Sequence, residues 1–193
     1  MLHKSAGNSR SYDDLLFITA ASMAYCGFLR VSELCGNPPS DPSQGIKLNH
    51  LSVTDNILKV FIQNSKTDQT GDGATIHIPP LRRNPCPIRL LCVFLKARPT
   101  TGQAEPLFIH ANRSPMTGNW FRKALKDSCS KLGLRGNYNS HSLRIGAASD
   151  AAARGVPSHT IKSLGRWKSN AFERYIRPSG NQLALSLASF ATV

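Results

Sequence analysis

The sequence predicts a mainly α-helical domain carrying one small antiparallel β-sheet, an α+β fold. Three observations predict it. Apolar residues recur at helical spacing along most of the chain. One β-branched run, "ILKVFI" at 57–62, follows the turn pair Asp55-Asn56 and precedes a polar turn with two glycines. The 193 residues are 40% hydrophobic, enough for one buried core, and contain no repeat or low-complexity tract.

The elements follow in order. Residues 1–10 read as a disordered N-terminal segment, with one domain spanning 11–193. Ser11 and Asp14 form a capping-box pattern, and Leu15, Leu16, Ile18, Ala21 and Ala24 continue it as a helix that Gly27 ends. "FLRVSEL" is a second, short helical turn, and "GNPPSDPSQG" at 36–45 is a loop. Strands are expected at 50–53, 57–62 and 74–79, the last two joined by "NSKTDQTGDG". "PIRLLCVFLKAR" at 87–98 has a helical apolar stripe, and "PLFIH" at 106–110 reads as one short strand. Thr117 caps the helix "GNWFRKALKDSCSKL". Asn139 or Ser140 caps a helix from His141 to about Arg154. "SHTIKSLG" and "NAFERYI" are two shorter helices, and "NQLALSLASF" at 181–190 is the last, too apolar for a free tail.

Composition narrows the partners. A formal net charge of +13 suits a polyanion, nucleic acid before anionic membrane. No apolar run has the roughly 18 residues of a membrane span. The five cysteines are odd in number, and no two sit two residues apart; this argues against a disulfide framework or zinc site and for reduced thiols.

Several residues have both a chemical and a structural account. His141 and Arg144, three apart at a helix start, would share a face beside the positive end of the helix dipole. His110 and Arg113 repeat the same spacing, but in a loop. Ala147, Ala148, Ala151 and Ala152 would let a neighbouring helix approach closely and hold Arg144 rigidly. Arg30, between Leu29 and Val31, meets either a ligand or Glu33 three residues on. Lys66 is a turn lysine, solvated or functional. Trp167 is a core aromatic or an N–H donor to a phosphate oxygen. Tyr175 stands among Arg166, Lys168, Arg174 and Arg177 with only Glu173 against them.

Taken in order, these residues resemble one family. "HSLRIGAASDAAARGVPSHTIKSLGRW" followed by "RYIRP" is similar to the catalytic core of tyrosine recombinases of Cre type, and "LGRWKS…RYIR" looks most like the recombinases of Crypton, DIRS-like and Ngaro-like mobile elements. "GFLRVSEL" matches the first-arginine box and "QNSKTDQTG" the lysine hairpin. The resemblance implies a tyrosine recombinase catalytic-domain fold over about 11–190. It implies catalytic roles for Arg30, Lys66, His141, Arg144, Trp167 and the nucleophile Tyr175, with Glu33 holding Arg30 or His141 in position. Tyr175 follows Trp167 by eight residues, one fewer than in Cre-type sequences, so a second register puts Arg166 in the His/Trp slot.

The implied reaction needs no metal or cofactor. The tyrosine oxygen attacks the scissile phosphorus, giving a 3′-phosphotyrosyl link and a 5′-hydroxyl, and another strand's 5′-hydroxyl reverses the step. The implied partner is double-stranded DNA, its backbone gripped by Arg122, Lys123, Lys126, Lys131, Lys162, Arg166 and Lys168, with steep salt dependence and little sequence preference. Helix 181–190 would dock on a neighbouring protomer of a tetramer on DNA or pack on its own domain. The family's N-terminal clamp domain is expected to be missing, so the chain reads as a fragment or a relic. The setting would be the nucleus of a eukaryote or otherwise the cytoplasm. A domesticated DNA-binding module and a type IB topoisomerase-like enzyme are the alternatives.

Overall fold

The computed structural model describes residues 11–35, 45–63, 71–82, 85–139 and 141–176, with Ala184, Leu187 and Ala188. The expected N-terminal segment 1–10, nearly all of the 36–45 loop, Lys66, Ser140, Arg177 and most of the 181–190 helix lie outside the described residues.

Helix α1, Tyr12–Cys26, starts where the capping box predicts. Ser11 Oγ accepts from Asp14 N–H at 3.1 Å and the Asp14 carboxylate accepts from Ser11 N–H at 3.3 Å. It packs against four later helices, α2 Val31–Cys35, α3 Pro87–Ala97, α4 Gly118–Lys131 and α5 Ser142–Ala153, and is the central rod of the fold. Gly27 ends it at a close approach: a Cβ there would lie 2.7 Å from Ile76 Cδ1.

The sheet is a meander, β1 Leu51–Thr54, β2 Ile57–Ile62 and β3 Ala74–Ile78, antiparallel in the order β1-β2-β3. Asp55 and Asn56 turn β1 into β2 with φ of 52° and 60°, a two-residue turn with both central φ positive that suits the strand twist. Leu58, Val60 and Ile62 alternate onto the core, while Lys59 and Phe61 face away.

Two expectations need correction. Residues 106–110 are not a strand but make isolated bridges, Lys47 with Pro106 and Ile109 with Pro115. The buried Arg98 takes the carbonyls that a ladder would use: its Nε donates to Leu107 O at 3.1 Å and its Nη2 to Pro106 O at 3.0 Å. Prolines at two of the four bridging positions supply no N–H. Helix α5 starts one residue later than expected. His141 holds the N-cap position without a side-chain cap bond, and Asn139 Oδ1 accepts from its backbone N–H at 2.9 Å. Thr117, by contrast, caps α4 as predicted, accepting from Trp120 N–H at 3.2 Å.

After α5 come helix α6, Ser158–Leu164, and a 3-10 helix, Asn170–Tyr175. Buried apolar residues form two clusters. The larger joins α1 to α4 with the sheet and the 107–116 segment, and holds Leu16, Met23, Leu34, Val60, Phe94, Phe108 and Phe121. The smaller, Phe28, Ala147, Ala148, Ile161 and Phe172, lies among α5, α6 and the 3-10 helix. Among the described residues no helix is long and apolar enough to cross a membrane.

Candidate active site

The first half of the site is the corner between α1 and α2. Gly27 stops α1, and Phe28 turns the chain with φ of 51°. Arg30 then takes the position just before α2. Its backbone N–H donates to Glu33 Oε2 at 2.8 Å, half of a capping box, and its Nη1 donates to Glu33 Oε1 at 2.8 Å. The local pair expected from the sequence therefore exists.

Glu33 has a second cation. Arg166 Nη2 donates to Oε2 at 2.8 Å, across 133 positions of sequence. The Glu33 side chain is 1% exposed, and both arginines are 15% exposed. Burial works to raise the Glu33 pKa. The charge of Arg166, the backbone and side-chain hydrogen bonds of Arg30, and Arg30's charge outweigh it and hold the carboxyl below its usual range. Arg166 also reaches Gly27 O at 3.3 Å and Phe28 O at 3.4 Å, so its guanidinium fills the α1–α2 corner. Its own backbone has φ of 54°, a left-handed conformation uncommon outside glycine.

The second half stands on α5 and α6. Arg144, on the first turns of α5, is 4% exposed. Its Nη2 donates to Gly165 O, and its Cζ lies 4.5 Å from the centroid of the Trp167 ring, a cation–π contact. Trp167 stacks on Phe172 at 5.4 Å and meets Phe28 edge-on at 6.3 Å. It is thus both a core aromatic and a floor for Arg144. Gly165 is required here by close approach, because a Cβ would sit 1.6 Å from a Trp167 ring carbon.

The tripeptide Gly165-Arg166-Trp167 joins the halves. Its carbonyl and its indole hold Arg144, and its arginine holds Glu33 and, through it, Arg30. His141 is exposed at the start of the same helix as Arg144. Tyr175 is the last residue of the 3-10 helix that follows the tripeptide, and Phe172 anchors that helix in the small cluster. The structure describes the backbone placement of Tyr175 and not its ring; Lys66 lies outside the described residues, beyond the end of β2.

The predicted backbone cations divide. Arg122, Lys126 and Lys168 are exposed. Lys123 and Lys131 line a groove with Asp13, Asp14 and Asp127, which offsets their charge. Lys162 is half-buried, and its Nζ donates to Asn170 Oδ1 at 2.9 Å. Arg166 stands apart, turned inward to Glu33. Sequence reasoning missed this ion pair and the tie from Arg144 to Gly165; the adjacent Gly-Arg-Trp was the only local signal, and it marks neither partner.

Comparison with known proteins gives the family and the fold. The phage integrase family model matches residues 1–180. The fold is similar to that of XerH site-specific recombinase, solved as a post-cleavage complex with palindromic difH substrate: TM-score 0.71 at 13% identity, over 96% of this chain and 48% of that one. XerA recombinase matches with a TM-score of 0.66 at 17% identity, over 98% of this chain and 65% of that one. The Tn1549 transposon integrase, in complex with a circular intermediate DNA, matches at 0.60 and 15% identity, over 98% and 67%. This chain spans about half the length of the XerH chain it matches. No curated protein matches it. A recombinase fold over nearly the whole chain, joined to a family match from residue 1 to residue 180, establishes that the chain belongs to the phage integrase family, the tyrosine recombinases.

Proposed function

We propose that this chain breaks and rejoins DNA strands through a 3′-phosphotyrosyl intermediate, as the catalytic part of a site-specific recombinase or integrase of a mobile element. The observation that supports the reading is the junction at Gly165-Arg166-Trp167, which is bonded directly to Arg144 and, through Glu33, to Arg30. Two guanidiniums on one centre suit the non-bridging oxygens of a phosphorane-like transition state, since each is planar, permanently charged and able to donate twice. Their rigid support means little reorganisation is needed as charge develops.

In this reading Tyr175 supplies the attacking oxygen, and the 5′-oxygen of the cut strand leaves with a proton from Lys66. His141, exposed beside Arg144, donates a hydrogen bond to the phosphate or receives the phenol proton. The face of Trp167 is occupied by Arg144, so its part toward a phosphate falls to the indole N–H. Double-stranded DNA is the substrate, contacted by Arg122, Lys126 and Lys168 from the exposed surface. XerH and the Tn1549 integrase, both solved with DNA, support that choice of partner. A homo-oligomer, assembled as a tetramer on DNA through residues 181–190, would bring two duplexes together, in a nucleus if the host is eukaryotic and otherwise in the cytoplasm.

The test is a nicked suicide duplex, from which the 5′-fragment diffuses away after cleavage. The wild-type chain should accumulate a denaturant-resistant protein–DNA adduct. Tyr175→Phe should bind the duplex equally and form no adduct. Equal adduct from both proteins would end the nucleophile assignment.

A further inference from the structure

Arg166 reads in the sequence as one basic residue among several beside the nucleophile. In the structure it is built differently from Lys168 or Arg122. Its side chain is turned inward, with hydrogen bonds to Glu33 and to the carbonyls of Gly27 and Phe28. Its Nε is buried and has no hydrogen-bond partner among the described residues. A backbone-gripping arginine would point its fork outward. This one spans from the α6 end to the corner that carries Arg30.

We infer that Arg166 is a positioning residue: by binding the buried Glu33 carboxylate together with Arg30, it holds the Arg30 guanidinium in the orientation from which it would meet the scissile phosphate. The inference rests on the strand-cleavage reading above. Its physics is the arithmetic of one carboxylate between two guanidiniums. With both in place the trio carries one net positive charge. Without Arg166, Arg30 is left as the single cation of the trio to neutralise a carboxylate that is almost wholly removed from water. Arg30 then carries more of the neutralisation of Glu33, and its guanidinium is drawn from the orientation that would meet the phosphate. The same bond fixes where the tripeptide sits, and Trp167 beneath Arg144 follows directly after Arg166.

The experiment is single-turnover cleavage of the nicked duplex by the full chain, with DNA affinity measured separately. Four proteins are compared: wild type, Arg166→Ala, Glu33→Gln and the double variant. Arg166→Ala should slow adduct formation by about tenfold or more while the DNA Kd changes by about twofold or less. Glu33→Gln in the Arg166→Ala background should recover part of the rate, because it removes the uncompensated buried charge. If Arg166→Ala does not fold, Arg166→Gln, which removes the charge and keeps much of the side chain, takes its place. Weakened DNA binding at an unchanged cleavage rate would make Arg166 a phosphate grip and overturn the inference; so would a double variant no faster than Arg166→Ala. Wild type that binds DNA and yields no adduct would instead sink the cleavage reading. The ion-pair coupling is then read from the melting temperatures of the same four proteins, and additive changes there would overturn it.

Discussion

The two apolar clusters are held together in different ways. The larger is filled with leucine, isoleucine, methionine and phenylalanine from α1, the sheet, α3 and α4. Burying each such side chain contributes about 1.5–3 kcal/mol, so this part stands by volume alone. The smaller has two alanines among its five buried residues and only two large aromatic ones. Its helices come close because α5 presents Ala147 and Ala148, and its cohesion is completed by polar ties, Arg144 to Gly165 O and Arg166 to Glu33. Half of the site, Arg144 and the Gly165-Arg166-Trp167 tripeptide, is mounted on this second region, while Arg30 and Glu33 stand beside Leu29, Val31 and Leu34 of the larger one. A scaffold that needs only to be stable is made of bulk; a region that must present charges at fixed positions is made of small residues and directed bonds.

That contrast can be broken by substitution, beginning with the largest effects. Phe94→Ala, at a fully buried ring packed 5.8 Å from Phe108 and 5.9 Å from Tyr12, should cost about 3–5 kcal/mol of global stability, measured by denaturant unfolding. Arg144→Ala should leave most of that stability and instead lower the cleavage rate by about 10²–10³, roughly 3–4 kcal/mol of transition-state stabilisation, read in single-turnover kinetics. Phe172→Ala sharpens the comparison. It should lower the unfolding midpoint by less than half the Phe94→Ala change, because its 3-10 helix can open without the main core, yet still reduce adduct formation. An equal loss of stability from the two phenylalanines would mean the clusters unfold as one.

The smallest effect lies at the seam between the regions. Burial of the Tyr25 phenol on α1, then the nearby Asp150 carboxylate on α5, pushes its pKa up to about 12. A raised folded-state value means that its stabilising contribution is whole below pH about 10, where the unfolded phenol titrates, and is lost as pH rises toward 12. Tyr25→Phe should cost about 1 kcal/mol near neutral pH and should flatten the stability profile between pH 10 and 12, measured by thermal melting.

What could be read from the sequence was local. The Ser11–Asp14 capping box, the Thr117 cap, the Asp55-Asn56 turn and the Arg30–Glu33 pair each involve neighbours a few positions apart, so residue order and spacing reveal them. The 106–110 run misled because its strand-like pattern is real while its carbonyls are claimed by Arg98, which nothing in that run announces. His141 was placed inside α5 because its spacing to Arg144 is helical; the helix instead begins just after it, with Asn139 bonding its backbone N–H. Arg166 is the clearest case of non-local information. Its partner is 133 residues away, and its inward direction depends on a left-handed backbone that the sequence does not mark.

The element that ends in Tyr175 has one more property. Asn170–Tyr175 is six residues of 3-10 helix, whereas such turns seldom run past three or four because their hydrogen bonds are poorly aligned. Its Glu173 and Arg174 side chains are in water, and Phe172 is its buried anchor. Amide hydrogens here should therefore exchange with deuterium well before those of α1, through openings that leave the rest of the domain folded. The tyrosine proposed as nucleophile thus ends an element that should open before α1 does, while Arg144, proposed to meet its target, is buried on α5.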